Sequence, residues 1–98
     1  MTDITVTELK QRLDAGEQLT LIDVREPYEY EEYNLGARLI PLGDIPVQAA
    51  SLADKKDEEI IIHCRSGKRS AAAQNFLQQQ GFTKVRNLIG GVLAYQQL

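Results

Sequence analysis

Ile60-Ile61-Ile62-His63-Cys64-Arg65-Ser66-Gly67-Lys68-Arg69-Ser70-Ala71-Ala72-Ala73 passes from a short β-branched run, through a small basic loop, into an alanine-rich segment. The isoleucines read as a buried strand and the alanines as the start of a helix, so Cys64 lies at a strand-to-helix turn. At such a turn the free N–H groups of the helix start and the positive end of its dipole face the loop, and both favour an anion. These conditions take a cysteine pKa from ~8.5 into the range of roughly 3.5–7.5. Cys64 is the nucleophile candidate.

Outward from this stretch, strands and helices alternate. Thr7 caps a helix whose Leu9 and Leu13 are four apart and which stops at Gly16. Leu19 to Val24 is a central strand whose far end carries the polar group Asp23-Val24-Arg25-Glu26, and a short helix opened by Pro27 runs from Tyr28 to Tyr33. Arg38 to Ile40 is a brief strand, and a helix follows from Ile45 or Pro46 through Leu52 to the charged loop 54–59. After the strand 60–63, a helix from Ser70 to Gln80 closes at Gly81, a strand spans Lys84 to Leu88, and Gly90-Gly91 leads into a last helix, Val92 to Gln97. Parallel neighbours need crossover connections, so the alternation predicts an α/β fold: a mostly parallel sheet with helices on both faces. In such folds the ligand crevice lies at the carboxyl ends of the strands, where Asp23 and Arg25 meet the Cys64 loop.

The 98 residues make one domain, 1–98, with no repeat, linker or low-complexity segment. A net charge of −3 gives no electrostatic reason to expect nucleic acid or an acidic membrane. One cysteine forms no internal disulfide, and no Cys/His cluster offers a metal site, so a reducing compartment without a bound metal is the simplest setting. The stretch Met1-Thr2-Asp3-Ile4-Thr5 lacks the basic and apolar regions of a leader, and no run is long enough to span a membrane. The expectation is a complete cytoplasmic protein.

Within the loop, Gly67 supplies conformations a Cβ would forbid, letting successive N–H groups turn inward as an anion cradle. Arg65, Lys68 and Arg69 add charge around it, and Ser66 and Ser70 complete the anion-binding set. The bland reading of Cys64 is a small buried hydrophobe; three adjacent cations weaken it. His63, next to it on a strand, should point to the opposite face and serve as packing. Glu26, Glu29, Glu31 and Glu32 read as a solvated helix face, and Tyr28, Tyr30 and Tyr33 as core and rim aromatics. Asp23 and Arg25 read as supporting residues that pair with nearby loop groups to fix the crevice floor, with proton transfer by Asp23 the sharper alternative.

Four pieces in order then resemble a known family: Leu21-Ile22-Asp23-Val24-Arg25-Glu26-Pro27; Leu35-Gly36-Ala37 with Ile40-Pro41-Leu42; His63 to Ser70; and Gly90-Gly91 before the last helix. Together they are similar to the single-domain rhodaneses, the thiosulfate sulfurtransferases. The resemblance implies a rhodanese-like sheet of about five strands wrapped by helices. It implies further that Cys64 accepts a sulfane sulfur from a small anionic donor such as thiosulfate, becomes a persulfide, and passes the sulfur to cyanide or a thiol, with no cofactor. Two positions depart from the family pattern: Tyr33-Asn34-Leu35 stands where a histidine is usual, and Tyr95 where a tryptophan is usual.

Two other readings stay open. One is a sulfur carrier, fed persulfide sulfur by a donor protein and handing it to an acceptor protein, with little turnover of free thiosulfate. The other is a cysteine-dependent phosphatase or arsenate reductase. Against the latter, the phosphatase signature places arginine after five intervening residues, which here is Ser70, while Arg69 comes after four. The shorter cradle favours a sulfur atom over a phosphoryl group.

Overall fold

The computed structural model describes residues 2–98; Met1, which opens the N-terminal stretch read above, lies outside them. Among the described residues four strands, β1 (Leu21–Asp23), β2 (Arg38–Leu39), β3 (Ile60–His63) and β4 (Val85–Asn87), form one parallel sheet in the order β2-β1-β3-β4. Asp23 pairs with His63 and with Leu39, and Ile62 pairs with both Ile22 and Asn87, so the carboxyl ends of the strands fall on one edge. Ile4 bridges Leu88 in parallel and stands where a fifth strand would. Its N–H donates to Asn87 O at 3.0 Å and its carbonyl accepts from Ile89, which covers the open edge of β4.

The triple isoleucine of β3 is fully buried because both faces of the sheet are packed. Ile22, Ile60, Ile62 and Val85 meet Ile45, Leu52, Ala73 and Leu77 on one face, from α3 (Ile45–Gln48) with the 3₁₀ turns around it and from α4 (Lys68–Gln79). Leu21 and Ile61 meet Ile4, Leu9 and Leu88 on the other, beneath α1 (Val6–Asp14) and α5 (Gly91–Tyr95). The fifth helix, α2 (Pro27–Glu32), follows β1 at the crevice edge.

Most element ends lie within two residues of the sequence expectation, and three differences have a local cause. The cap of α1 is Thr5, whose Oγ1 accepts from Glu8 N–H at 3.1 Å, because the helix starts at Val6 and takes in Thr7. The segment predicted as one helix from Ile45 or Pro46 to Leu52 has a single α-turn between 3₁₀ stretches, Leu42–Asp44 and Ala49–Lys55. Finally, α4 begins at Lys68, two residues early, because Gly67 takes a left-handed φ of 107° and serves as its cap.

The loop 54–59 is more than a charged connector. Glu59 accepts from Arg12 at 2.7 Å and from Arg86 at 2.9 Å, and Arg86 also reaches Glu8 at 3.0 Å. This knot joins α1 to the starts of β3 and β4, and the two guanidinium groups hold the Glu59 carboxyl down at about 2.

Candidate functional site

Cys64 follows β3 directly, and its thiol is 1% exposed at the carboxyl edge of the sheet. Gly67 N–H donates to Sγ at 3.1 Å and Ser70 Oγ–H lies 3.3 Å from it. Burial pushes the thiol up; the Ser70 hydroxyl and the N–H groups of Ser70, Gly67 and Ser66 outweigh it, leaving the pKa below the ordinary cysteine value. The predicted cradle is therefore formed by backbone donors and one hydroxyl.

The loop's carbonyls are held from the other side. Val92 N–H donates to Cys64 O and Leu93 N–H to Arg65 O, both at 3.0 Å, so the first turn of α5 grips the two peptides that open the loop. This close approach needs glycine at position 91. A Cβ there would lie 2.5 Å from Arg65 O and 2.6 Å from Cys64 O, and φ is +61°.

The three cations of the loop divide. Arg65 and Lys68 are exposed and take part in no ion pair among the described residues. Arg69 instead forms a two-pronged pair with Glu29 at 2.7 and 2.9 Å. Expecting all four glutamates to form a solvated face was wrong for Glu29: its side chain is 13% exposed, it also accepts from Glu26 N–H in a capping box, and its carboxyl is held at about 2 by Arg69. Glu26, Glu31 and Glu32 are exposed.

Asp23 and Arg25 pair with each other, Arg25 Nη2 reaching Asp23 Oδ2 at 2.9 Å and the carbonyl of Tyr33 at 2.7 Å. They fix the loop after α2 to the end of β1 and make no hydrogen bond to the Cys64 loop. Tyr30 donates to Ala37 O at 2.6 Å, whereas Tyr28 and Tyr33 stand 66% and 39% exposed at the rim. They border a cleft of about 480 Å³ that Arg25, Glu29, Arg65 and Leu93 also line.

His63 is fully buried, makes no hydrogen bond with either ring nitrogen, and has Asp23 Oδ2 4.0 Å from Nδ1. Burial lowers its pKa to about 4, with Asp23 opposing and Arg25 assisting. A folded-state pKa below the unfolded value of about 6.5 means that the unfolded chain takes up the proton first. Stability from this group is thus complete above about pH 6.5 and is lost as pH falls toward 4, by on the order of 3 kcal/mol. Denaturant unfolding at pH 7, 5.5 and 4 should show this slope, and His63→Leu should flatten it. Glu29 and Glu59, held at about 2, lose their contributions in a separate window below about pH 4.5.

Asn87 was not singled out from sequence. Its side chain accepts from Ser70 Oγ–H at 2.6 Å and donates to Gly67 O at 3.1 Å. The available signal was an amide, poor in strands, at the carboxyl end of a parallel strand.

Three comparisons bear on this arrangement. A family model described as a rhodanese-like domain matches residues 5–98. The chain is 40% identical over 91 residues to YrkF of Bacillus subtilis, provisionally named a sulfur carrier protein, covering 92% of this chain and 48% of that one, so it spans about half of that relative. It is 36% identical to a sulfurtransferase of Allochromatium vinosum, covering 97% of this chain and 88% of the relative. The crystal structure of a rhodanese-like domain protein from Staphylococcus aureus superposes with a TM-score of 0.85 at 34% identity, over 97% of this chain and 91% of the other.

Proposed function

The chain belongs to the rhodanese-like family of sulfurtransferases and sulfur carriers, and we infer that Cys64 transfers a sulfane sulfur from an anionic donor such as thiosulfate to a thiol or cyanide. The observation that carries this reading is the enclosed Sγ with Gly67 N–H at 3.1 Å and Ser70 Oγ at 3.3 Å. Such donors stabilise a thiolate, both before loading and as its charge returns to Sγ when the outer sulfur leaves. In the first half-reaction the Cys64 thiolate attacks the outer sulfur of thiosulfate, the S–S bond of the donor breaks, and sulfite leaves with the electron pair. In the second, the acceptor attacks the outer sulfur of the persulfide, the Sγ–S bond breaks, and Sγ recovers its pair as thiolate. No redox partner or metal is needed, because the sulfur atom moves without its bonding electrons.

Intact mass before and after incubation with thiosulfate tests the first half. A gain of one sulfur atom, removed by cyanide, is expected; no gain removes free thiosulfate as donor. Arg65 and Lys68, the loop cations without an ion pair among the described residues, are proposed to draw the donor in. Arg65→Ala and Lys68→Ala should each raise KM for thiosulfate about three- to tenfold and flatten its salt dependence, while leaving a neutral donor nearly unaffected. Equal losses for both donors would mean that the side chains only shape the loop.

A second reading is favoured by the cleft of about 480 Å³ beside Arg65, far roomier than thiosulfate requires. In this reading a protein presents or collects the sulfur, as the name of the half-matching relative suggests for that protein. Faster loading from a persulfidated donor protein than from free thiosulfate would support it. The phosphatase alternative predicts release of inorganic phosphate from aryl phosphates, which the short cradle disfavours.

A further inference from the structure

One amide holds two of the donors that face the sulfur, the Ser70 hydroxyl and Gly67. Ser70 has a single hydroxyl proton and two acceptors in reach, Asn87 Oδ1 at 2.6 Å and Cys64 Sγ at 3.3 Å. Gly67 aims its N–H at Sγ while its carbonyl accepts from Asn87 Nδ2 at 3.1 Å. Asn87 itself is 8% exposed and is fixed on both sides: its N–H donates to Asp3 Oδ1 and its carbonyl accepts from Ile4 N–H, each at 3.0 Å. Gln74 Nε2 steadies the same Asp3 Oδ1 at 2.7 Å.

We propose that Asn87 is a positioning residue for sulfur transfer, holding Gly67 N–H on Sγ and keeping the Ser70 hydroxyl oriented between its own Oδ1 and the sulfur. The proposal rests on the persulfide reading of Cys64. In the persulfide, Sγ is uncharged and a poor acceptor, and the Ser70 proton stays on Asn87 Oδ1. When an acceptor attacks the outer sulfur and the Sγ–S bond breaks, charge develops on Sγ. The hydroxyl then turns to donate to it, from an oxygen already 3.3 Å away. A donor whose oxygen is already in place, and whose bond to Sγ forms only as charge appears there, favours the transition state over the ground state. The same two donors serve the free thiolate, which gives the role a readout independent of sulfur transfer.

The test measures the Cys64 thiol pKa, from the pH dependence of iodoacetamide alkylation, together with kcat and KM for thiosulfate and cyanide. Asn87→Ala, Asn87→Asp, Ser70→Ala and the double variant Asn87→Ala/Ser70→Ala are compared with the parent. Asn87→Ala should raise the thiol pKa by about one unit and lower kcat roughly 10- to 100-fold with KM changed less than threefold. Asn87→Asp keeps an acceptor for Ser70 but sets a carboxylate against Gly67 O, so its thiol pKa should rise further. Because part of the effect runs through Ser70, the double variant should lose less than the product of the two single losses. A folded Asn87 variant with the parent's thiol pKa and kcat overturns the proposal, as do losses that simply multiply. Asn87→Asp serves if Asn87→Ala does not fold. If the parent itself transfers no sulfur, the alkylation profiles still decide whether Asn87 governs the thiolate, so failure of the persulfide reading is seen separately.

Discussion

Cys64→Ser is expected to abolish sulfur transfer, with a loss on the order of 10³-fold or more, while leaving the fold intact. The substituted oxygen is nearly isosteric and meets the same Gly67 N–H and Ser70 hydroxyl. Its pKa, however, is far above any that these donors can bring to neutrality, so the nucleophile is lost. Stability should change by only about 1 kcal/mol, because a buried hydroxyl with two partners replaces a buried thiol. Initial rates with thiosulfate and cyanide, and denaturant unfolding, measure the two effects separately. Transfer retained in a folded Cys64→Ser protein would sink the covalent mechanism.

The second large effect is expected at a backbone contact behind the loop rather than at the sulfur itself. Gly91→Ala combines a left-handed φ of +61° with a Cβ 2.5 Å from Arg65 O. The strained backbone and the collision together should cost about 3 kcal/mol, a fall in Tm of roughly 15 °C for a domain of this size. Either α5 backs away and releases the carbonyls of Cys64 and Arg65, or the loop moves and the N–H groups leave the sulfur. Both outcomes raise the thiol pKa toward that of free cysteine. Gly16→Ala is the control: its φ is +81° but nothing lies within 4 Å of the added atom, so only the backbone strain of about 1 kcal/mol should appear. Equal melting temperatures for the two variants would show that the grip of α5 on the loop is dispensable.

The strand 60–63 and its loop were legible because several local signals agree there. A β-branched run, a glycine at the one loop position with positive φ, and alanines beyond it each specify the same strand–turn–helix. The two-faced sheet followed from the alternation of elements. What stayed hidden depends on contacts between distant residues. Glu29 looks like one of four surface acids until Arg69, forty residues on, pairs with it. Asn87 looks like the end of a strand until the sheet order sets it beside Gly67 and Ser70. His63 was placed as packing by strand alternation, and its complete burial without a hydrogen bond agrees with that. Thr5 and Thr7 are the same residue type, and the helix that buries Leu9 beside Ile4 starts one residue after Thr5.

The enclosure of Cys64 also bears on how long the reduced protein survives. Thiol–disulfide exchange requires an in-line approach by a sulfur that carries a carbon substituent beside the leaving sulfur. A thiol that is 1% exposed, under a loop pinned by α5, denies that path to bulky disulfides such as oxidised glutathione. The sequence holds no second cysteine to act as a resolving partner. A bare sulfane atom at the tip of a slender donor carries no such substituent, and a bond to it extends the side chain by only about 2.05 Å. On the persulfide reading, the walls that shelter Cys64 from oxidative capping are thus selective by shape, admitting a sulfane sulfur where a disulfide is refused.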